Sequence, residues 1–309
     1  MNRSAVARII LWSVIAIVLA GFLFAALAFD GMEDFLGRLG LGWTSFRYDE
    51  TGYSIGNFTT ESEITSIKIY WTGGKIDLSV CSGNELLAEE ASDYEISTDE
   101  AMRYLIEEGV LTIRARKSGI FFRIGKSQNK HLTLRIPESM AGRLSLILID
   151  SVSAEVSISK LSAETLRSDC VSGDVALADM KIGSAFIDHV SGDLRCSNVT
   201  ADYLKMDSVS GACQYTGSVK KLDFDSTSGD ITVDSSEFPS EMNTDTVSGN
   251  AFFTIPEGAG FTAELDSVSG TLNCGVPVVS DGKTFRYGDA SAIYRFESVS
   301  GNVTIRLKN

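Results

Sequence analysis

The chain has 309 residues, with 41 acidic against 27 basic side chains, a formal charge of −14 and 44% hydrophobic content. This composition excludes a disordered chain and argues against a nucleic-acid partner, because phosphate contacts need clustered Lys and Arg. Two histidines and five cysteines argue against a His-rich metal centre and a disulfide scaffold.

The first predicted element is a transmembrane helix over residues 9–29. The 21 residues Ile9–Phe29 carry no charge, and at ~1.5 Å per residue they reach about 30 Å, the thickness of a bilayer core. Arg3 and Arg8 precede the span, and Asp30, Glu33 and Asp34 follow it. Residues 1–8 are therefore expected in the cytoplasm and everything after the span outside, as a single-pass protein of the cell membrane. The rival reading is a cleaved signal peptide with Ala26-Leu27-Ala28 as its cleavage site. Signal h-regions run only ~7–15 residues, which favours the uncleaved anchor. Without the first 29 residues the charge becomes −16. Such a surface stays soluble, and it can attract divalent cations or basic peptides.

Residues 30–56 form a juxtamembrane segment. Met32, Phe35, Leu36 and Leu39 fall at i, i+3, i+4 and i+7, the pattern of a short amphipathic helix, with a plain hydrophobic linker as the alternative. Trp43 and Phe46 suit the headgroup level.

From 57 to about 150 the chain alternates at period two. Ile67/Ile69/Trp71, Ile76/Leu78/Val80, Leu111/Ile113 and Leu132/Leu134/Ile136 predict half-buried strands. Gly73-Gly74-Lys75-Ile76 reads as a divergent corner, and the region as early, irregular coils. Ser97 and Glu100 have capping-box spacing and Gly109 suits a helix end, so a short helix is expected over 97–108.

Regular repeats begin at about residue 150. Val-Ser-Gly, once Thr-Ser-Gly, occurs seven times, with serines 172, 191, 210, 228, 248, 269 and 300, after a degenerate Val152-Ser153-Ala154. An acid stands two residues before each Val or Thr: Asp150, Asp169, Asp188, Asp207, Asp225, Asp245, Asp266 and Glu297. Apolar residues return at the second and fourth positions past the glycine, as in Val175/Leu177, Leu194/Cys196 and Val303/Ile305. One corner chemistry per ~19 residues fits a coil stacked in parallel on itself. The fold class is therefore all-β: a parallel β-solenoid over residues 57–309, preceded by one transmembrane helix. About 13 coils at ~4.8 Å would make a rod about 60 Å long.

Gly173, Gly192, Gly211, Gly229, Gly249, Gly270 and Gly301 are the structural corner residues, where a positive φ or close packing of coils needs glycine. Parity changes across Asp-x-Val-Ser-Gly, so a bulge or bend is expected inside it. His189, where most copies carry Ser, reads as a surface substitution. Cys196 and Cys213 read as small hydrophobes, and their offset of two positions disfavours a bridge. Arg306 and Lys308 would blunt the C-terminal edge.

The interval from Ser269 to Ser300 exceeds a coil, and the excess, around 276–290, brings Lys283, Phe285, Arg286 and Tyr287. This is a candidate binding excursion, with a C-terminal cap as the competing reading. Stacked acids could hold Ca²⁺ or serve a polysaccharide-cleaving β-helix. They recur in every coil, however, as scaffold residues do. No catalytic, cofactor-binding or metal site is assigned, and no cofactor is expected.

The corners Asp-Ser-Val-Ser-Gly-Asp, with Leu132-Thr-Leu-Arg-Ile-Pro137 and Tyr287-Gly-Asp before the last corner, resemble the bacterial "putative adhesin" family over residues 60–309. The resemblance implies a β-solenoid of unsettled biochemical function displayed at the cell surface, with no catalytic residues to transfer. The expected function is non-enzymatic adhesion, binding or scaffolding with an unknown protein or cell-wall partner. The alternatives are an envelope-stress sensor or regulator acting through a membrane partner and, less favoured, a polysaccharide-active enzyme.

Overall fold

The computed structural model describes residues 47–119, 130–258 and 260–308. The expected span 9–29 and most of the juxtamembrane segment lie outside the described residues. Among the described residues no helix is long and apolar enough to cross a membrane, and the only helix is the single turn Glu138–Ala141.

The described chain is a ladder of parallel rungs. Each rung has a strand leading into a corner and a shorter strand leaving it. The regular middle stacks the rungs 144–159, 162–178, 181–197, 199–217, 218–235 and 241–255 in chain order. Leading strands bury Leu166, Ile187, Leu204, Met206, Leu222 and Phe224. Trailing strands bury Val175, Leu177, Leu194, Cys196, Ile231 and Val233. The apolar positions before and after each corner thus meet in one continuous core. A second corner returns the chain to the next rung, through Lys160, Asp179 and Asn198 at φ 60°, 53° and 54° and Gly217 at φ 150°. Asp and Asn enter the left-handed region more readily than most residues.

Chain order fails at both ends. Strand Ser66–Cys81 is flanked by 144–159 on one side and by 110–114 and 130–137 on the other. At the far end 292–307 sits between 241–255 and 260–274. The described residues therefore form ten parallel rungs rather than about 13, and nine intervals of ~4.8 Å make a stack of roughly 43 Å. The remaining strands cap it in antiparallel fashion. Arg103–Glu107 and then Ser54–Ile55 cover 110–114, while Leu86–Ser92 and then Phe58–Thr60 cover 130–137. Thr284–Gly288 covers 260–264.

Several expectations need correction. The segment 97–108 is not a helix. Ser97 Oγ donates to Glu100 Oε2 at 3.0 Å in one turn, and the β-prone Arg103-Tyr-Leu-Ile-Glu107 then pairs with Val110–Arg114. Glu108 and Gly109, at φ 49° and 76°, make the two-residue hairpin turn. The region before 150 is two rungs and an antiparallel cap, not a run of coils. Val303–Ile305 is paired on both sides, while Arg306 and Leu307 pair only with Thr254 and Ile255.

Candidate functional site

The register places the acids of successive corners directly beside one another. Asp150, Asp169, Asp188, Asp207, Asp225, Asp245, Glu297 and Asp266 form one row along the flank of the ladder, in that spatial order. Neighbours in such a row are ~4.8 Å apart. Like charges at that spacing resist joint ionisation. Burial, reinforced by Asp169, raises the Asp150 carboxyl to about 6. Burial, reinforced by Asp207 and Asp169, raises Asp188 to about 6. Asp225 rises to about 7 through burial and Asp207, although 51% of its side-chain surface remains in solvent and screens the effect.

Cations close both ends of the row. At one end Tyr70 lies beside Asp150, and the Arg114 guanidinium stands 3.9 Å from the Tyr70 ring and 4.5 Å from that of Tyr48. This end holds a cleft of about 20 Å³ lined by Tyr48, Tyr70, Trp71, Arg114, Arg116 and Asp150, room for a single water. At the other end Lys283 Nζ lies 3.3 Å from Asp266 Oδ1. In the middle Lys205 Nζ bridges Asp207 at 2.8 Å and Asp225 at 3.9 Å.

Two residues before each acid runs a mixed row that includes Arg167, Phe186, Lys205, Asp223, Asn243 and Arg295. Arg167 lies 5.2 Å from the Phe186 ring. Tyr203 Oη and Asn243 Nδ2 donate to Asp223 at 2.6 and 2.7 Å. Sequence reasoning missed this row because its residue types do not repeat. Only the register shows that these positions share a face.

The glycine column explains the corners. Gly173, Gly192, Gly211, Gly229, Gly249, Gly301 and Gly270 stack in that order; a Cβ on Gly192 would stand 2.2 Å from Gly173 O, and one on Gly270 2.1 Å from Gly301 O. Close approach of backbones is the common requirement. Pairing passes from His189 to Ser191 without Val190, so the chain bends inside the motif. The residue after each glycine extends the ladder. Asp174, Asp193, Asp230 and Asn250 each accept the backbone N–H of the equivalent residue on the next rung, at 2.7–3.1 Å.

His189 is buried at 5% exposure, not a surface residue. It belongs to an inward column with Ser151, Cys170, Ser208, Ser226, Thr246 and Ser298. Its Nε2 lies 3.5 Å from Ser168 Oγ, and burial pushes its pKa down to about 4. All five cysteines are free; Leu194 faces Cys213 and Cys196 faces Tyr215, which preserves the offset that disfavoured a bridge. Among the described residues no three His, Cys, Asp or Glu side chains converge on a metal position.

The four residues of the C-terminal excursion do not form one surface. Phe285 and Tyr287 pack against the core, Tyr287 with its ring centroid 5.5 Å from that of Phe261. Lys283 and Arg286 remain exposed.

Solved structures similar to the chain include a putative adhesin from Bacteroides fragilis, at 14% identity and TM-score 0.48, with 82% of this chain and 97% of that one covered. Another is a putative adhesin from Parabacteroides distasonis, at 12% identity and TM-score 0.43, covering 83% and 98%. A third, from the same organism, is a putative lipid binding protein, at 14% and 0.42, covering 85% and 100%. Among curated proteins nothing matches. The Toastrack family model matches residues 64–306, the span that contains both rows and all of the ladder's rungs but the last residue of 292–307, and the chain belongs to that family, Toastrack DUF4097.

Proposed function

We propose that this chain is a membrane-anchored extracytoplasmic rod that binds or scaffolds at the bacterial cell surface through its acid-lined flank, without catalysis. The observation that carries the reading is the in-register row from Asp150 to Asp266. A surface that repeats its contact every ~4.8 Å suits an extended, repetitive ligand better than a small molecule. The acids recur on successive rungs, whereas a catalytic constellation gathers unlike residues at one place. An exported charge of −16 favours a partner that carries basic groups.

Photo-crosslinking from the flank in intact cells tests this. The expected product is a cell-wall polymer or external ligand, with capture weakened when Asp169 and Asp188 are both changed to Asn. Capture of one stable integral-membrane protein instead would favour the envelope-stress regulator. Depolymerisation of a polysaccharide by purified protein, abolished by the same change, would restore the enzyme reading. Deleting residues 276–289 separates site from cap at the excursion. A folded protein that has lost its ligand supports a site, and a protein that melts early supports a cap.

A further inference from the structure

The N-terminal cap encloses a lysine and a glutamate that the acid-lined flank does not use. Lys130 begins strand Lys130–Pro137, and Glu90 lies on the neighbouring antiparallel strand Leu86–Ser92. The Lys130 ammonium is in direct contact with Glu90 Oε1, with side-chain exposures of 2% and 4%. Trp71 packs against the ammonium, its ring centroid 5.0 Å from Lys130 Nζ. Nζ also donates to the backbone carbonyls of Glu100 and Ala115. The other carboxylate oxygen, Glu90 Oε2, accepts the Met102 N–H at 2.9 Å.

We propose that Lys130 and Glu90 condense into an intramolecular isopeptide bond. The pair contains every atom the step needs. A proton passes from Nζ to Oε1, which gives a neutral amine and a carboxylic acid. Nζ attacks Glu90 Cδ and the Nζ–Cδ bond forms. The Met102 N–H stabilises the negative charge that gathers on Oε2, as an oxyanion donor does. The Cδ–Oε1 bond then breaks and Oε1 leaves as water, carrying two of the three protons that began on Nζ. The third stays as an amide N–H, facing the carbonyls of Glu100 and Ala115. No oxidant, metal or co-reactant enters the balance.

Two physical conditions favour the reaction. Held partners react with effective molarities of about 10⁵–10⁸ M, and the buried site limits the return of water. Burial also lowers the Lys130 pKa to about 8, so an appreciable share of the amine is neutral near physiological pH. The position gives the bond a mechanical consequence. Phe58–Thr60 pairs with Leu86–Ser92, which in turn pairs with Lys130–Pro137 at the first rung. A covalent link between the last two stops the cap from peeling strand by strand.

The test is the intact mass of the full-length chain purified in detergent, followed by proteolytic mapping. The expected mass is one water below that of the sequence, with a branched peptide joining the segments that carry Glu90 and Lys130. Glu90→Gln should release ammonia in place of water and form the same branched peptide. Lys130→Met should show the unaltered mass. A wild-type protein that is folded by circular dichroism yet has its full sequence mass overturns the proposal. So does a water loss that maps to any other pair.

Discussion

At the residue scale, the acid row makes stability depend on pH in an unusual direction. Most folded carboxylates are stabilised in the charged form, and acid unfolds the protein. Here Asp150 and Asp188 sit near 6 and Asp225 near 7, against 3.8 in a free chain. The native state therefore keeps protons that the unfolded state has released between about pH 4 and 7. These groups destabilise the fold fully above that window and progressively less as the pH falls through it. His189 opposes them, since its folded value near 4 lies below 6.5 and the unfolded chain binds that proton first. Three carboxyls outweigh one imidazole, although His189 already opposes them near pH 6, where the unfolded chain holds its proton and the folded state does not. Lowering the pH from 7.5 to 6 should raise the melting temperature. Asp188→Asn should reproduce part of that gain at pH 7.5, about 1 kcal/mol after screening, or roughly 2–4 °C for a domain of this size. A melting temperature that falls from pH 7.5 to 6, or an Asp188→Asn protein that melts earlier at pH 7.5, would refute the raised carboxyl values that burial and like-charge crowding produce.

At the element scale, the corner is a packing device more than a conformational one. Gly192→Ala puts a methyl 2.2 Å from Gly173 O at a φ of 136°, so backbones must separate and two rungs lose register. A cost above about 3 kcal/mol is expected in urea unfolding. Gly142→Ala, with nothing within 4 Å of the new methyl, should be neutral or slightly stabilising. Asp193→Ala removes the acceptor for the Ala212 N–H and a partner of Arg195, at about 1 kcal/mol. If the two glycine variants unfold alike, close approach is not what the corner requires. The corner was legible because this demand returns at every rung with the same answer. Elements that occur once were less so. Ser97, Glu100 and Gly109 each carry a true local signal, a turn and a hairpin tip. Read as one pattern they describe a helix, while the alternating Arg103–Glu107 between them belongs to a strand whose partner is set by the cap. His189 was misplaced for a related reason. Its column is polar on most rungs, so the sequence reads as exposed where the ladder buries it.

At the scale of the whole molecule, the order of the last two rungs carries information that no motif holds. Rungs 260–274 and 292–307 have the same Ser-Val-Ser-Gly corner, and the ladder would accept either beside 241–255. Packing decides between them. The rung 292–307 buries Tyr294, Phe296, Val303 and Ile305 almost completely, Tyr294 Oη donates to Pro239 O at 2.9 Å, and Phe296 meets Phe253 with centroids 5.5 Å apart. The rung 260–274 leaves Leu265, Leu272 and Cys274 only half-buried, which suits the outside. Its leading edge is then closed by Thr284–Gly288, short edge strands being one way a sheet avoids pairing with other chains. The excursion that the sequence marks as extra length is therefore the path by which the chain passes out, turns and tucks its last rung beneath the one before. Truncation tests this arrangement. In a solenoid stacked in chain order, deleting 292–309 would shorten the rod by a rung and leave 260–274 in place. Here the same deletion removes the only parallel neighbour of 260–274 and the aromatic contact between Tyr294 and Phe261. Limited proteolysis of the shortened protein should digest residues 256–291 while 130–255 stays protected. A protected fragment that still runs through residue 288 would show that the outer rung holds to 241–255 by itself, and would refute the inserted order of the last two rungs.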